Sequence, residues 1–366
     1  MHVSLSRQDI LQAVQRCQNI VERRHTIPIL SNILLKADDG ALHFSATDLE
    51  VGIQTRCSAT VKKTGSLTVS ARKLFDVIKE LNIDADVELE VTDGFLALKS
   101  GRSRFRLATL SSEEFPEMQQ EEEGVSIDLD GADLAAMIAA TSFAMSSDET
   151  RKYLTGTLFE IDKQGNICLA ATDGHRLALT RVRLQQDVRS GQCIVPRKAV
   201  NEIRKLSEEV GGQVTLRMGD RQISLKAGEH HLSSKLIDAR FPNYNDVIPK
   251  SNPHAAVVER TALDQVLRRT MIVANEFTHD VRLQLSGGEM QVSAHNTEQE
   301  KADESIAIEY SGPDIEIGFN ARYIRDVLSA LKTETVTLSL KDGLSPVLIR
   351  QDVDSAEHYV IMPMRI

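Results

Sequence analysis

Asp173-Gly174-His175-Arg176 brings a carboxylate, an imidazole and a guanidinium into four consecutive residues, the ingredients of acid–base chemistry. No nucleophile, metal-ligand set or glycine-rich phosphate loop accompanies the tetrad. Its counterparts elsewhere in the chain, Thr47-Asp48-Leu49-Glu50 and Asn296-Thr297-Glu298-Gln299, lack histidine. A structural or rim histidine is therefore favoured over a catalytic one. His230-His231 has no metal-ligand company. Cys17, Cys57, Cys168 and Cys193 show no CxxC or Cys/His spacing, and read as reduced thiols of a cytosolic protein. The expectation is a chain with no catalytic residue, no metal and no cofactor.

Charge placement points to binding instead. Residues 101–107 alternate basic and other residues through Arg102, Arg104 and Arg106, whereas residues 298–304 are mostly acidic. A basic edge near one terminus and an acidic edge near the other favour head-to-tail pairing between chains. Solvated edge strands guarded by charge are the blander alternative. The predicted second helices of a repeating unit carry +1 (residues 71–81), +3 (196–206) and +2 (320–332). The first helices carry +2 (6–24), −2 (130–146) and 0 (259–276). Together the helices hold +6 in a chain of net charge −10, which leaves −16 on strands and loops. Basic helices attract phosphates without reading bases, and an acidic remainder repels nucleic acid from the wrong face.

The elements that must position these residues come in three copies. Segments from Pro28, Lys152 and His279 each read as a β-hairpin, a short polar link and a third strand. A strand and an amphipathic helix follow, with apolar residues at helical spacing: Leu74, Val77, Ile78 and Leu81; Val200, Ile203 and Leu206; Ile324, Val327, Leu328 and Leu331. More strands close each copy, and another amphipathic helix precedes it. The predicted class is α+β: three tandem domains, each with two helices on antiparallel sheets. Polar stretches at Glu121-Glu122-Glu123-Gly124 and Lys250-Ser251-Asn252-Pro253 set the domains at 1–124, 125–251 and 252–366.

The 366 residues suffice for this plan, and 41% hydrophobic with 26% charged residues is an ordinary globular composition. With no Trp, the cores must be mostly aliphatic. No apolar run approaches a membrane span, and MHVSLSRQDI is not a signal peptide, so the expected place is the cytoplasm. Tandem modules trace an arc, here a half ring, that must close or continue. Twelve helices at ~10 Å spacing give a circle with a hole of roughly 28 Å, whereas six leave under about 10 Å. Two chains can enclose duplex nucleic acid; one cannot.

The chain resembles the bacterial DNA polymerase III β-subunit family, the sliding clamps. The likeness runs through the whole length and is most specific at PILSNILL from Pro28, ATDGHRLAL from Ala171, SKLIDARFPNY from Ser234 and HYVIMPMRI ending at Ile366. It implies a non-catalytic, nucleoid-associated processivity factor. Such a factor is a head-to-tail homodimeric ring that slides on duplex DNA and tethers replicative and repair polymerases. A separate loader opens it.

By matching position, the resemblance assigns a partner-peptide pocket to Leu154, Thr172, Gly174, His175, Arg176, Leu177, Pro242, Val247, Val360, Met362, Pro363, Met364 and Arg365. It assigns a dimer edge to Lys73, Arg102, Arg104, Phe105 and Leu107 against Ile272, Val273, Glu298, Glu300, Asp303 and Glu304. DNA contacts fall on Arg24, Arg72, Arg151, Tyr153, Arg197 and Lys198. Three residues depart from the family pattern: Lys301 within the acidic edge, Asp246 at a basic rim position, and Lys152 in place of an aromatic before Tyr153. The competing non-enzymatic reading is a repeat scaffold that binds proteins only.

Overall fold

A computed structural model describes residues 1–22, 26–118, 123–352 and 355–365. Six α-helices form among them: α1 (Arg7–Ile20), α2 (Ala71–Lys79), α3 (Gly131–Thr141), α4 (Arg197–Val210), α5 (Arg260–Thr270) and α6 (Ala321–Ala330). Each starts directly from the last residue of a strand. Those strands are His2–Ser6, Gly65–Ser70, Gly124–Asp130, Gly191–Pro196, His254–Glu259 and Ile315–Asn320.

The strands ahead of α1, α3 and α5 add to the module expected from sequence. They run into their helices with no turn residue between, as the strands ahead of α2, α4 and α6 also do. The last strand residue is also the N-cap: Ser6 Oγ accepts the Asp9 N–H at 3.1 Å, Asp130 the Ala132 N–H at 2.8 Å, and Glu259 the Thr261 N–H at 3.1 Å. Each such cap stabilises its helix by about 1 kcal/mol.

The apolar helix positions are buried, Leu74 and Ile78 with Ile10 and Val14 in the first module, and Ile324 and Leu328 with Leu263 and Leu267 in the third. The helix α1 packs on α2 and on strands Ala41–Thr47 and Val51–Ser58; α5 packs on α6, Glu289–His295 and Lys301–Ala307.

The strands of a module fall into two antiparallel quartets with one internal order. The strand preceding a helix comes first, and the three strands that follow the other helix come next in sequence. In the second module the first quartet is Gly191–Pro196, Gly156–Ile161, Asn166–Thr172 and Arg176–Arg183. The second quartet is Gly124–Asp130, Gln213–Gly219, Gln222–Ala227 and His230–Lys235. The third module repeats both orders. The first adds an edge strand, Thr60–Lys63, and a two-residue pairing of Gly65–Ser70 with Ser103–Leu110.

Quartets also join across modules. Val51–Ser58, the last strand of the first module's first quartet, pairs with His230–Lys235, the last strand of the second module's second quartet. Arg176–Arg183 pairs likewise with His358–Ile361 of the third module. These ladders explain why the chain packs as two compact units that divide within the second module, one of Met1–Leu134 with Asn201–Leu236, the other of Ala135–Val200 with Ile237–Ile366.

Candidate functional site

Asp173-Gly174-His175-Arg176 lies in a tight turn whose polar groups hold one another. Thr172 Oγ1 donates to the Arg176 carbonyl at 2.5 Å and accepts the Gly174 N–H at 3.1 Å. Asp173 Oδ1 accepts the N–H groups of His175 (2.9 Å) and Arg176 (3.1 Å). Gly174 sits at φ +92°, where a side chain would also meet the Arg151 guanidinium. The His175 ring stacks on Tyr323, centroids 6.3 Å apart. With the carboxylate locked into the turn and the imidazole stacked, the tetrad is a scaffold rather than an acid–base pair.

Arg176 ties this turn to the third module. Its Nε donates to Asp173 (3.1 Å), one Nη to Asp326 on α6 (2.6 Å) and the other to the Phe143 carbonyl (2.8 Å). The guanidinium also lies over the rings of Tyr323 and Phe143, at 4.6 and 5.3 Å. Its side chain is only 10% exposed, so it is engaged within the protein, not presented as a free rim cation.

Beside the turn, Leu177 faces Val360 across the intermodule ladder, and the Met362 N–H donates to the His175 carbonyl at 2.9 Å. That ladder carries the C-terminal residues to the second module. The linker after His230–Lys235 brings Phe241 and Tyr244 into the same apolar cluster as Leu158, Leu177, Leu179 and Val360. Tyr244 Oη donates to Glu160 at 2.6 Å; burial first, then this carboxylate, push its phenol above the ordinary range.

The resulting cleft has a volume of about 290 Å³. Leu154, Thr172, Gly174, Arg176, Leu177, Pro242, Val247, Val360 and Met362 line it, nine of the thirteen residues expected there. His175, Pro363, Met364 and Arg365 are not in the lining; the Met364 N–H instead donates to the Gly318 carbonyl at 2.8 Å. Asn243 and Tyr244 line it without having been singled out, although both lie at the end of the FPNY string. Arg151 and Tyr153, expected at DNA, also line this cleft. Walls of Leu, Val, Met and Pro with few polar groups suit a short segment with apolar anchors.

The two charged edges are sheet edges. Lys301–Ala307 ends its four-stranded sheet. Ser103–Leu110 pairs along one side, but on the other only through Thr109 and Leu110, which leaves residues 103–108 open. Phe105 is 38% exposed there, and Ile272, after α5, is 80% exposed. On the acidic edge Lys301 pairs with Asp303 at 2.8 Å, Glu304 with Arg269, and Glu300 with Asn296. Lys301 thus neutralises an acid of its own strand. Arg104 donates to the carbonyls of Gly101 and Ser103. Lys73 stands exposed on the first turn of α2.

The helix cations divide into two kinds. Arg7 donates to the carbonyls of Ile78 (3.1 Å) and Lys79 (2.7 Å) at the end of α2. Arg260 does the same for Thr333 and Leu328 at the end of α6. Both serve packing. Arg72, with a side chain 79% exposed, Arg197, Lys198 and Arg322 begin α2, α4 and α6, where the helix dipole adds positive potential. Arg322 holds this place in the third module and was absent from the expected contacts. Arg197 also donates to the carbonyls of Met145 and Ser146. Arg24 lies outside the described residues.

Profiles of the DNA polymerase III beta subunit match the chain in sequence, the N-terminal domain on residues 1–119, the central domain on 128–243 and the C-terminal domain on 245–365. The chain belongs to the DNA polymerase III beta subunit family. The beta sliding clamp of Pseudomonas putida is 39% identical over 369 residues, with both chains covered completely. The crystal structure of the DNA polymerase III subunit beta from Pseudomonas aeruginosa is 38% identical, covers both chains fully and gives a TM-score of 0.96. A Pseudomonas aeruginosa sliding clamp solved bound to griselimycin gives 0.97 at 38% identity, again over both full lengths.

Membership fixes the broad role. The chain is a processivity clamp of DNA replication without catalysis of its own. Among the described residues no helix is long and apolar enough to cross a membrane.

Proposed function

We propose that two copies of the chain close head to tail into a ring around duplex DNA, slide on it, and dock polymerases by short peptides. The observation that carries this is the pairing rule between quartets. The last strand of a module's first quartet takes the last strand of the next module's second quartet, twice within the chain. Continued once more, Lys301–Ala307 would take Ser103–Leu110 of another copy, acidic edge against basic edge. Phe105 and Leu107 would then meet Ile272 and Val273, with Lys73, Arg102 and Arg104 facing Glu298, Glu300, Asp303 and Glu304. Twelve helices leave a hole of roughly 28 Å, wide enough for a duplex.

Arg24, Arg72, Arg197 and Lys198, joined by Arg322, contact phosphates without reading bases. Arg151 and Tyr153, which line the cleft, meet the peptide first. The ring works in the bacterial cytoplasm at the nucleoid, and a clamp loader shares the cleft with polymerases.

Loaded on nicked circular duplex, the protein is expected to stay bound, and to be lost when the circle is cut. Equal retention on circular and linear DNA would favour a scaffold that merely adheres. Removing residues 362–366 deletes Met362 from the cleft wall and leaves both charged edges in place. The truncated chain should lose at least tenfold in affinity for a polymerase-derived peptide, by fluorescence anisotropy, and remain dimeric in sedimentation. Undiminished peptide affinity would remove the cleft from the proposal.

A further inference from the structure

The junction of the first and second modules repeats the cleft position by position. Thr47 Oγ1 donates to the Val51 carbonyl and accepts the Leu49 N–H, both at 3.0 Å. Asp48 Oδ1 accepts the N–H groups of Glu50 (2.9 Å) and Val51 (2.6 Å). Each bond has its counterpart in the turn that holds Asp173. Gly52 faces Ser233 across its ladder as Leu177 faces Val360. Phe115-Pro116 stands two residues before Met118 as Phe241-Pro242 stands before Tyr244. Yet the cavity between this turn, Pro116 and Ser233 has only about 50 Å³, against about 290 Å³ in the matching place at the other junction.

Three residue differences account for the closure. Leu49 occupies the place of Gly174 and holds φ +76°, a left-handed conformation that a side-chain-bearing residue adopts only when its surroundings hold it there. Met118 occupies the place of Tyr244. It reaches over Gly52, where an added Cβ would lie 2.6 Å from its terminal methyl. Gly52, in the place of Leu177, makes the room for it. Met118 also packs against the buried cluster of Ile29, Leu30 and Phe115. Methionine is a flexible, unbranched apolar side chain, the kind that fills an irregular cavity or anchors a short peptide in one.

We propose that the first junction is a second peptide cleft that the chain keeps shut with its own Met118, with Leu49 closing the turn side. This rests on the reading of the open cleft as a peptide site. Met118 is the resident occupant, in the place of the apolar anchor of an incoming peptide. Each copy then offers partners one docking place instead of two.

The test is a titration of the full chain with a labelled pentapeptide carrying leucine and phenylalanine anchors, read as stoichiometry. The parent takes one peptide per chain. The double variant Leu49→Gly, Met118→Ala takes two, and removing residues 362–366 from it abolishes one and leaves the other. Met118→Leu, which refills the cavity, returns the count to one. A folded double variant that still takes one peptide overturns the proposal. Should the double variant fail to fold, Met118→Ala alone keeps the turn intact and must bind a second peptide more weakly than the first; a single peptide there also overturns it. A parent that takes none overturns the peptide reading of the open cleft, and this inference with it.

Discussion

The double change Arg104→Glu, Phe105→Ala is expected to sediment as a monomer, near the parent chain's 40.6 kDa, at concentrations where the parent forms the proposed dimer. Both residues lie on the open stretch of Ser103–Leu110, and Phe105 is 38% exposed without a neighbouring strand to cover it. An aromatic at the centre of an interface contributes about 2–4 kcal/mol when truncated. Reversing Arg104 then sets a carboxylate against the acidic strand holding Asp303 and Glu304, where like charges repel. The two effects together should raise the dimer dissociation constant by about a hundredfold or more, since each ~1.4 kcal/mol is a factor of ten. Stability of the isolated chain should hardly move, because neither side chain is buried. A dimer that persists at nanomolar concentration, with the variant folded, would place the interface elsewhere. The loss should deepen at low salt, where repulsion between exposed like charges is screened least.

Arg176→Ala costs about 3 kcal/mol of stability, the lower end of what removing one partner from a buried ion pair does. The guanidinium donates in three directions, to Asp173, to Asp326 and to the Phe143 carbonyl. Truncation leaves Asp173 with a side chain only 14% exposed and no cation, although its other oxygen still holds the turn. Asp326 is half exposed and can turn to water, which keeps the cost from reaching the upper end. The rings of Tyr323 and Phe143 also lose the cation between them. Urea unfolding measures the loss, and a midpoint equal to the parent's would show that the arginine is dispensable. Arg176→Lys tests the geometry, because a lysine carries the charge but cannot fork between two carboxylates and a carbonyl. It should recover less than half. Peptide affinity should fall at least tenfold in both variants, since Arg176 also lines the cleft.

The residues foretell the structure best where it is local. Helix faces such as Val200, Ile203 and Leu206 are buried as their spacing requires, because a 3.6-residue period leaves one stripe for the core. The strands ahead of α1, α3 and α5 are not part of the module expected from the sequence. Ser6, Asp130 and Glu259 each end such a strand and cap a helix at once, as Ser70 and Asn320 do ahead of α2 and α6. Arg7 and Arg260 serve packing rather than a basic lining. Both count as helix cations in the sequence, but their guanidinium groups close the carbonyl ends of α2 and α6, some seventy residues away. Arg151 and Tyr153, expected at DNA, line the cleft beside the turn at Gly174 and the linker at Pro242.

By itself the sequence determined the threefold module, its α+β class and the opposite charge of the two terminal edges. Each of these follows from composition or from periods of two and 3.6 residues, which the backbone imposes wherever the segment lies. Only the tertiary structure decided what the tetrad Asp173-Gly174-His175-Arg176 is for. Its carboxylate binds its own turn, its imidazole stacks on Tyr323 and its guanidinium reaches Asp326, 150 residues away. The same turn, bond for bond, opens a cleft at one junction and is closed at the other, because Gly174 and Leu49, or Tyr244 and Met118, differ in what they place into a space that distant strands enclose.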